Sequence, residues 1–239
     1  MQFDSSADRI NSIGNLIGGI DKYLEIGVAK GETFFRVEAK EKHAVDPRFR
    51  FEIASRNNFK NEYYHNSTSD EFFSRPQRGK KPFDVIFLDG LHTYNQTLRD
   101  FLNSLAVSHS KTIWIIDDTV PTDPIAAEAD LEKVRFARAI MGNQHDETWM
   151  GDVYKVVEFI NSYMFQYTCL TTEGHGQTIV LPIERIKKGP DCKSTKIIEN
   201  MNYVDTITMK QSTYRKYHKE KLLKMIEYAI KHGEIKEHE

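Results

Sequence analysis

Three acids and a histidine stand where side-chain chemistry is possible. Asp89 follows the apolar run Phe83-Asp-Val-Ile-Phe-Leu88, and Asp117 and Asp118 follow Thr112-Ile-Trp-Ile-Ile116. His92 lies three residues past Asp89. Short, nearly continuous apolar runs mark strands covered on both faces, as in parallel sheets. If the strand ends share one rim, the three carboxylates repel and raise each other's pKa unless a cation lies between them. Oxygen ligands at a partly hydrated rim suit Mg²⁺ or a similar hard divalent ion. His92, with an ordinary pKa of ~6.5, is placed to accept a proton there. Any one of these acids alone reads as well as a helix cap or a turn residue. Their coincidence at corresponding strand ends is what points to a working site.

A second motif lies upstream. Tyr23-Leu-Glu-Ile-Gly-Val-Ala-Lys-Gly-Glu-Thr33 carries an apolar strand into a glycine turn, and Ala44-Val45-Asp46 ends the next strand on an acid. Gly27 and Asp46 are nineteen residues apart, near the ~20 between first glycine and ribose-binding acid in nucleotide-binding units. Glycine lets backbone approach a ligand without a Cβ clash. A dinucleotide site wants a middle glycine, where this chain has Ala29, and no Walker Lys-Ser pair follows. Glu25 would repel phosphate but suits a cationic ligand bearing an amino group. The pattern therefore favours S-adenosylmethionine over NAD or ATP. A strand-turn-helix that holds no ligand stays open on this motif alone.

These groups need strands and helices to carry them. Ser5 or Ser6 caps a first helix with Ile10, Ile13, Leu16 and Ile17 on one face. Helices are expected over 31–42, 48–57, 93–107, 126–141, and 153–163 with Asp152 as cap, and another starting at Ser69. Strands are expected at Tyr63–Asn66 and in a closing hairpin of 166–170 with 178–181 around Gly174-His-Gly176. Strand-helix alternation predicts an α/β, doubly wound, mostly parallel sheet with ligands at the carboxyl ends of its strands. Residues 1–182 read as this domain and 183–239 as a basic extension. The extension ends in a helix over 212–232, with Leu222, Met225, Ile226, Ala229 and Ile230 in one stripe and Gly233 as its cap. That stripe packs on the domain or on a second subunit, which leaves a homodimer open.

The whole chain narrows the classes. It has 239 residues and a formal charge of −2, with acids and bases interspersed, so no nucleic-acid partner is expected. Mean hydropathy is −0.56, and no apolar run nears the ~18 residues of a membrane span. The N-terminus lacks the pattern of a signal peptide, and the two cysteines, Cys169 and Cys192, have no metal spacing. A cytoplasmic location is expected. His43, His65 and His145 show no ligand spacing, and His175 reads as a solvent-facing turn residue.

Glu25-Ile-Gly27-x-x-x-Gly31, Asp46 and the later acids resemble a class I S-adenosylmethionine-dependent methyltransferase with a Rossmann-like sheet. Leu88-Asp-Gly-Leu-His-Thr-Tyr94 and Ile115-Ile-Asp-Asp118 resemble its metal-dependent O-methyltransferase branch, which includes catechol and macrolide-sugar enzymes. The resemblance spans about Tyr23 to Leu181. It implies that Glu25, Gly27 and Gly31 line the methionine and ribose part of the cofactor, that Asp46 takes the ribose hydroxyls, and that Ser69 meets adenine. It implies metal ligands at Asp89, Asp117 and Asp118, Asp89 also bordering the cofactor, and His92 as the catalytic group. Asp117-Asp118, where catechol enzymes have Asp-Asn, leans toward sugar-type acceptors. The expected function is O-methylation of a small polar acceptor such as a sugar. The rival classes are a cofactor-binding protein without transfer and a hydroxylase-like enzyme on the same scaffold.

Overall fold

Alternation along the strands decides the layering of this protein. In the computed structural model, which describes residues 3, 5–56, 60–76, 81–174, 176–185, 193–208 and 215–235, successive side chains of each central strand go to opposite cores. Tyr23, Val85, Phe87, Ile113 and Ile115 join one apolar cluster, and Leu24, Ile26, Ile86, Leu88, Trp114 and Ile116 join the other. A sheet with two apolar faces needs a cover on each.

The strands are β1 (Lys22–Ile26), β2 (Glu41–Asp46), β3 (Glu62–Asn66), β4 (Phe83–Leu88), β5 (Ser108–Ile116), β6 (Thr168–Thr172), β7 (Thr178–Leu181) and β8 (Lys216–Tyr217). They lie in the order β3-β2-β1-β4-β5-β7-β6-β8. Pairing is parallel from β3 through β5, antiparallel around β7, and parallel again between β6 and β8. The helices are α1 (Ser6–Leu16), α2 (Ser69–Ser74), α3 (Tyr94–Ser104), α4 (Leu131–Ile140), α5 (Tyr154–Tyr163), α6 (Thr195–Glu199), α7 (Tyr203–Thr208) and α8 (Lys219–His232). The expected α/β, doubly wound sheet with its closing antiparallel hairpin is present. No helix among the described residues is long and apolar enough to cross a membrane.

Several expected elements differ. No helix follows the glycine motif; residues 31–42 give only the short 3-10 turn Phe34–Arg36 before β2 begins at Glu41. Only residues 27–40 separate β1 from β2, too short for a twelve-residue helix plus the turns that enter and leave it. Phe34 instead plugs directly into the core against Tyr23 and Tyr64. The helix expected over 48–57 is likewise a 3-10 turn, Ile53–Arg56, and residue 57 lies outside the described residues. Helix α4 starts only at Leu131, capped by Asp130. Helix α2 does begin at Ser69 as expected, with Thr68 as its cap in a full capping box with Glu71. Asp152 does not cap α5; its carboxylate accepts the Tyr94 N–H at 2.6 Å, the start of α3, and the Lys155 ammonium at 2.9 Å.

The extension supplies more than its last helix. Its short β8 continues the sheet beyond β6, and α8 begins at Lys219 and is capped after His232 by Gly233, φ +71°. The stripe of Leu222, Met225, Ile226 and Ala229 is buried in the chain's own core beside Ile10 and Ile13 of α1. That face is therefore taken within the chain. Ile230 stays exposed. His175 and Cys192, and residues 212–214 of the expected last helix, lie outside the described residues.

Candidate active site

The carboxyl ends of β1, β2 and β4 open into one cavity of about 1120 Å³. Pockets for small molecules span ~300–1,000 Å³, so this cavity lies just above the upper end of that range.

The glycine turn forms one wall. Gly27 has φ +84°, and a Cβ there would meet the carbonyl of Asp89 and lie 2.6 Å from the Gly90 Cα. Only glycine lets the β1 and β4 ends approach this closely. Ala29 also adopts the left-handed region, φ +46°. The brace for that turn is Asp46. Its Oδ2 accepts N–H bonds from Val28 (2.9 Å) and Ala29 (2.8 Å), and its Oδ1 accepts from Arg48 at 2.7 Å. Gly31 bends the chain, φ +79°, against the Phe35 ring, and does not line the cavity.

Glu25 lies on the cavity floor, almost fully buried, and accepts the Tyr23 hydroxyl at 2.6 Å. Burial pushes its carboxyl up to about 8, although Tyr23 and Lys42 pull the other way; Asp117 and Asp46 add to the rise. At the opposite end, Ser69 accepts the Gln96 amide at 3.2 Å, and the same amide reaches Asp100 at 3.0 Å. Asp100 is buried on the cavity wall, and burial pushes its carboxyl up to about 6 against hydrogen bonds from Ser69 and Gln96.

At the rim, donor atoms of Asp89, His92 and Asp118 lie within 4.8 Å of one another. His92 Nδ1 is 2.8 Å from Asp118 Oδ2 and 2.9 Å from the Trp149 carbonyl. Both partners only accept, so Nδ1 carries the proton and the neutral ring keeps its lone pair on Nε2. Nε2 faces Asp89 Oδ1 at 3.7 Å. The ring stacks on Trp149, centroids 4.9 Å apart at 18°. Burial alone would lower the His92 pKa; hydrogen bonding to Asp118, its charge, the Trp149 carbonyl and Asp117 outweigh this and raise it.

Asp89 is raised well above the carboxylate range by burial, then by Asp117, Asp118 and Glu25. A cation among these groups would relieve that crowding, so the carboxylates of Asp89 and Asp118 fit a divalent ion. Asp117 sits differently. Its Oδ2 accepts the Gln177 amide and its Oδ1 the Asp118 N–H, each at 2.8 Å. Asp117 and Asp118 both stand behind the cavity lining, and Asp118 reaches it through His92.

The roof comes from residues 131–149. Arg138, almost fully buried, binds Asp123 at 2.8 Å and Asp146 at 3.3 Å, tying α4 to the loops on both sides. Trp149 lines the cavity; Tyr154 is core, its hydroxyl donating to the Met201 carbonyl at 3.2 Å, and Lys155 bonds Asp152 and the Glu199 carbonyl. Asp100, Gln96, Arg138 and Gln177 escape sequence reasoning. Asp100 sits four residues after Gln96 on α3, an i,i+4 pair of the kind a helical reading can find. Gln177 carries no such signal.

The sheet order with its closing antiparallel hairpin and the strand-end cavity form a Rossmann-like α/β fold. Residues 24–119 match the model of a methyltransferase domain family. Among solved structures, the chain is similar to an O-methyltransferase from Bacillus cereus in complex with SAH, at 18% identity and TM-score 0.50, covering 75% of this chain and 82% of that one. It is also similar to the cofactor-bound Rv0187 from MTB, at 15% identity and TM-score 0.50, covering 77% and 84%. No curated protein sequence matches the chain.

Proposed function

We propose that this chain transfers the methyl group of S-adenosylmethionine to a hydroxyl of a small polar acceptor such as a sugar or glycoside. The observation that carries the reading is the oriented pair His92–Asp118 on the rim of a cavity whose other wall is the Gly27 turn. Bound S-adenosylmethionine supplies a methyl carbon on an already cationic sulfur. The protein's part is then proximity and removal of one proton. Asp118 holds the imidazole in the tautomer that leaves Nε2 to take the acceptor's proton as its oxygen bonds to the methyl carbon and the carbon–sulfur bond breaks. Trp149 fixes the ring plane. With the cofactor bound, Asp46 would brace the turn beside the ribose, Ser69 with Gln96 and Asp100 would form the polar end for adenine, and Glu25 would take the amino group. Asp89 and Asp118 are the residues that would hold a divalent ion of the Mg²⁺ kind, which when bound supplies Lewis acidity at the acceptor oxygen.

Methyl release from labelled S-adenosylmethionine, measured over a panel of sugars with and without a chelator, tests the reading. Transfer to a hydroxyl supports it, and loss of transfer on chelation supports the metal. Cofactor binding without transfer to any hydroxyl favours the binding-protein alternative.

Glu25 adds a pH signature. A cationic ligand prefers the ionised carboxylate, and the empty site holds its proton up to about pH 8. Affinity for S-adenosylmethionine is therefore expected to rise with pH by up to about tenfold per unit below that value, with one proton released on binding. Calorimetry in buffers of different ionisation enthalpy measures the release. Glu25→Gln should flatten the dependence; a slope that survives the substitution assigns it to another group.

A further inference from the structure

His92 is oriented by Asp118, and Asp118 needs an orienter of its own. Its backbone is left-handed, φ +58°, a conformation that non-glycine residues adopt at a cost. The Asp118 N–H is held there by Asp117 Oδ1 at 2.8 Å. Asp117 is in turn held through its other oxygen. Gln177, fully buried immediately before β7, donates from Nε2 to Asp117 Oδ2 at 2.8 Å and to Ser6 Oγ at 2.7 Å. Its Oε1 accepts from the Arg9 guanidinium of α1.

The direction of this chain of bonds is fixed by chemistry. A guanidinium only donates, so Gln177 must turn its oxygen to Arg9 and its amide hydrogens to Asp117 and Ser6. An amide able to flip would leave Asp117 facing either a donor or an acceptor. With Arg9 in place it always faces a donor. Arg9 is itself 1% exposed, and its guanidinium lies over the Phe3 ring at 4.8 Å, so it has little freedom to turn away.

We propose that Arg9 and Gln177 are positioning residues for His92. They lock Asp117 so that its second oxygen pins the Asp118 amide in the left-handed conformation that aims the Asp118 carboxylate at the imidazole. The effect on turnover rests on the methyl-transfer reading; the effect on the position of Asp118 and His92 does not.

Two substitutions separate this role from packing. Gln177→Leu keeps nearly the same volume but severs the relay, whereas Arg9→Lys loses volume but keeps a buried cation that can donate to Gln177. Gln177→Leu is expected to lower kcat ~10–100-fold, the usual effect of removing an outer-shell partner, with S-adenosylhomocysteine affinity within about twofold. Arg9→Lys is expected to stay much nearer the parent. The second readout needs no activity. The chain has two tryptophans, so 5-fluorotryptophan labelling gives two ¹⁹F resonances, assigned with Trp149→Phe. Gln177→Leu should move the Trp149 resonance, which reports the stacked His92 ring, and leave that of Trp114 in place.

A Gln177→Leu chain with parental kcat and an unmoved Trp149 signal overturns the proposal. So does an Arg9→Lys chain as impaired as Gln177→Leu, because packing would then be the common cause. If the leucine variant does not fold, Gln177→Glu keeps the Arg9 bond, sets an acid against Asp117, and carries the same expectation. If the parent methylates no hydroxyl, the functional reading fails alone, and the Trp149 resonance still decides the relay.

Discussion

A His92→Ala chain is expected to turn over ~10²–10⁴ times more slowly than the parent while binding S-adenosylhomocysteine with unchanged affinity. The reason lies in the division of the cavity. His92 stands at the rim with Asp89 and Asp118, whereas the wall proposed for the cofactor is built by Gly27, Asp46 and Glu25 from other strand ends. Removing the imidazole leaves the acceptor hydroxyl without a partner for its proton but leaves the cofactor's contacts alone. The pH profile carries a second mark. Asp118 and the Trp149 carbonyl raise the His92 pKa against the lowering effect of burial, so the basic form is reached only above the ordinary ~6.5. Turnover should therefore climb with pH through a value higher than that, and Asp118→Asn, which weakens the hold on the proton, should shift the limb downward. A kcat that does not change on removing His92 would take it out of the mechanism.

Gly27→Ala is expected to be among the most damaging alanine substitutions at the described glycines, alongside Gly151→Ala, whose Cβ would meet the His92 carbonyl. The Cβ at position 27 would collide with the Asp89 carbonyl and the Gly90 Cα, both backbone, on top of a φ of +84°. Backbone cannot swing aside as a side chain does, so β1 and β4 would have to part at the ends that form the site. A cost of about 4 kcal/mol or more is expected, the exceptional end of single substitutions, together with loss of measurable cofactor binding. Gly18→Ala is the control: its φ is also positive, +82°, but nothing lies within 4 Å of the added atom, so only the left-handed strain of ~1–2 kcal/mol should appear. Urea unfolding of the two variants compares them directly. Equal midpoints would mean that the β1–β4 approach is not as tight as the structure has it.

What the sequence revealed about this fold was set by local pattern. Phe83–Leu88 and Thr112–Ile116 declare themselves as buried strands because apolar runs of that length have few other homes, and the acids after them fall at one rim because parallel strands all end on the same side. The helix expected after Gly31 failed on a quantity the pattern does not weigh, the length of chain left before β2. Asp46 was legible as a residue of the site, but its grip on the Val28 and Ala29 amides was not, since no side-chain spacing encodes a bond to backbone. Gln177 and Arg9 meet across 168 positions of sequence. Only the closed sheet brings them behind Asp117. Asp117 and Asp118 looked equivalent as neighbours in sequence, yet successive residues face opposite ways, and one turns to Gln177 while the other turns to His92.

The clasp between α1 and α8 sets an order of events during synthesis. Ile10 and Ile13 leave the ribosome well before the residues that close over them, Leu222, Met225 and Ile226, and Lys219 meets Asp8 across 211 positions. Domains assemble from the N-terminus as they emerge, so this helix must wait, its apolar face uncovered, while the central strands form behind it. A nascent chain stalled before α8 should therefore be a good client for chaperones, with a cradle nearly complete and its outer wall still missing.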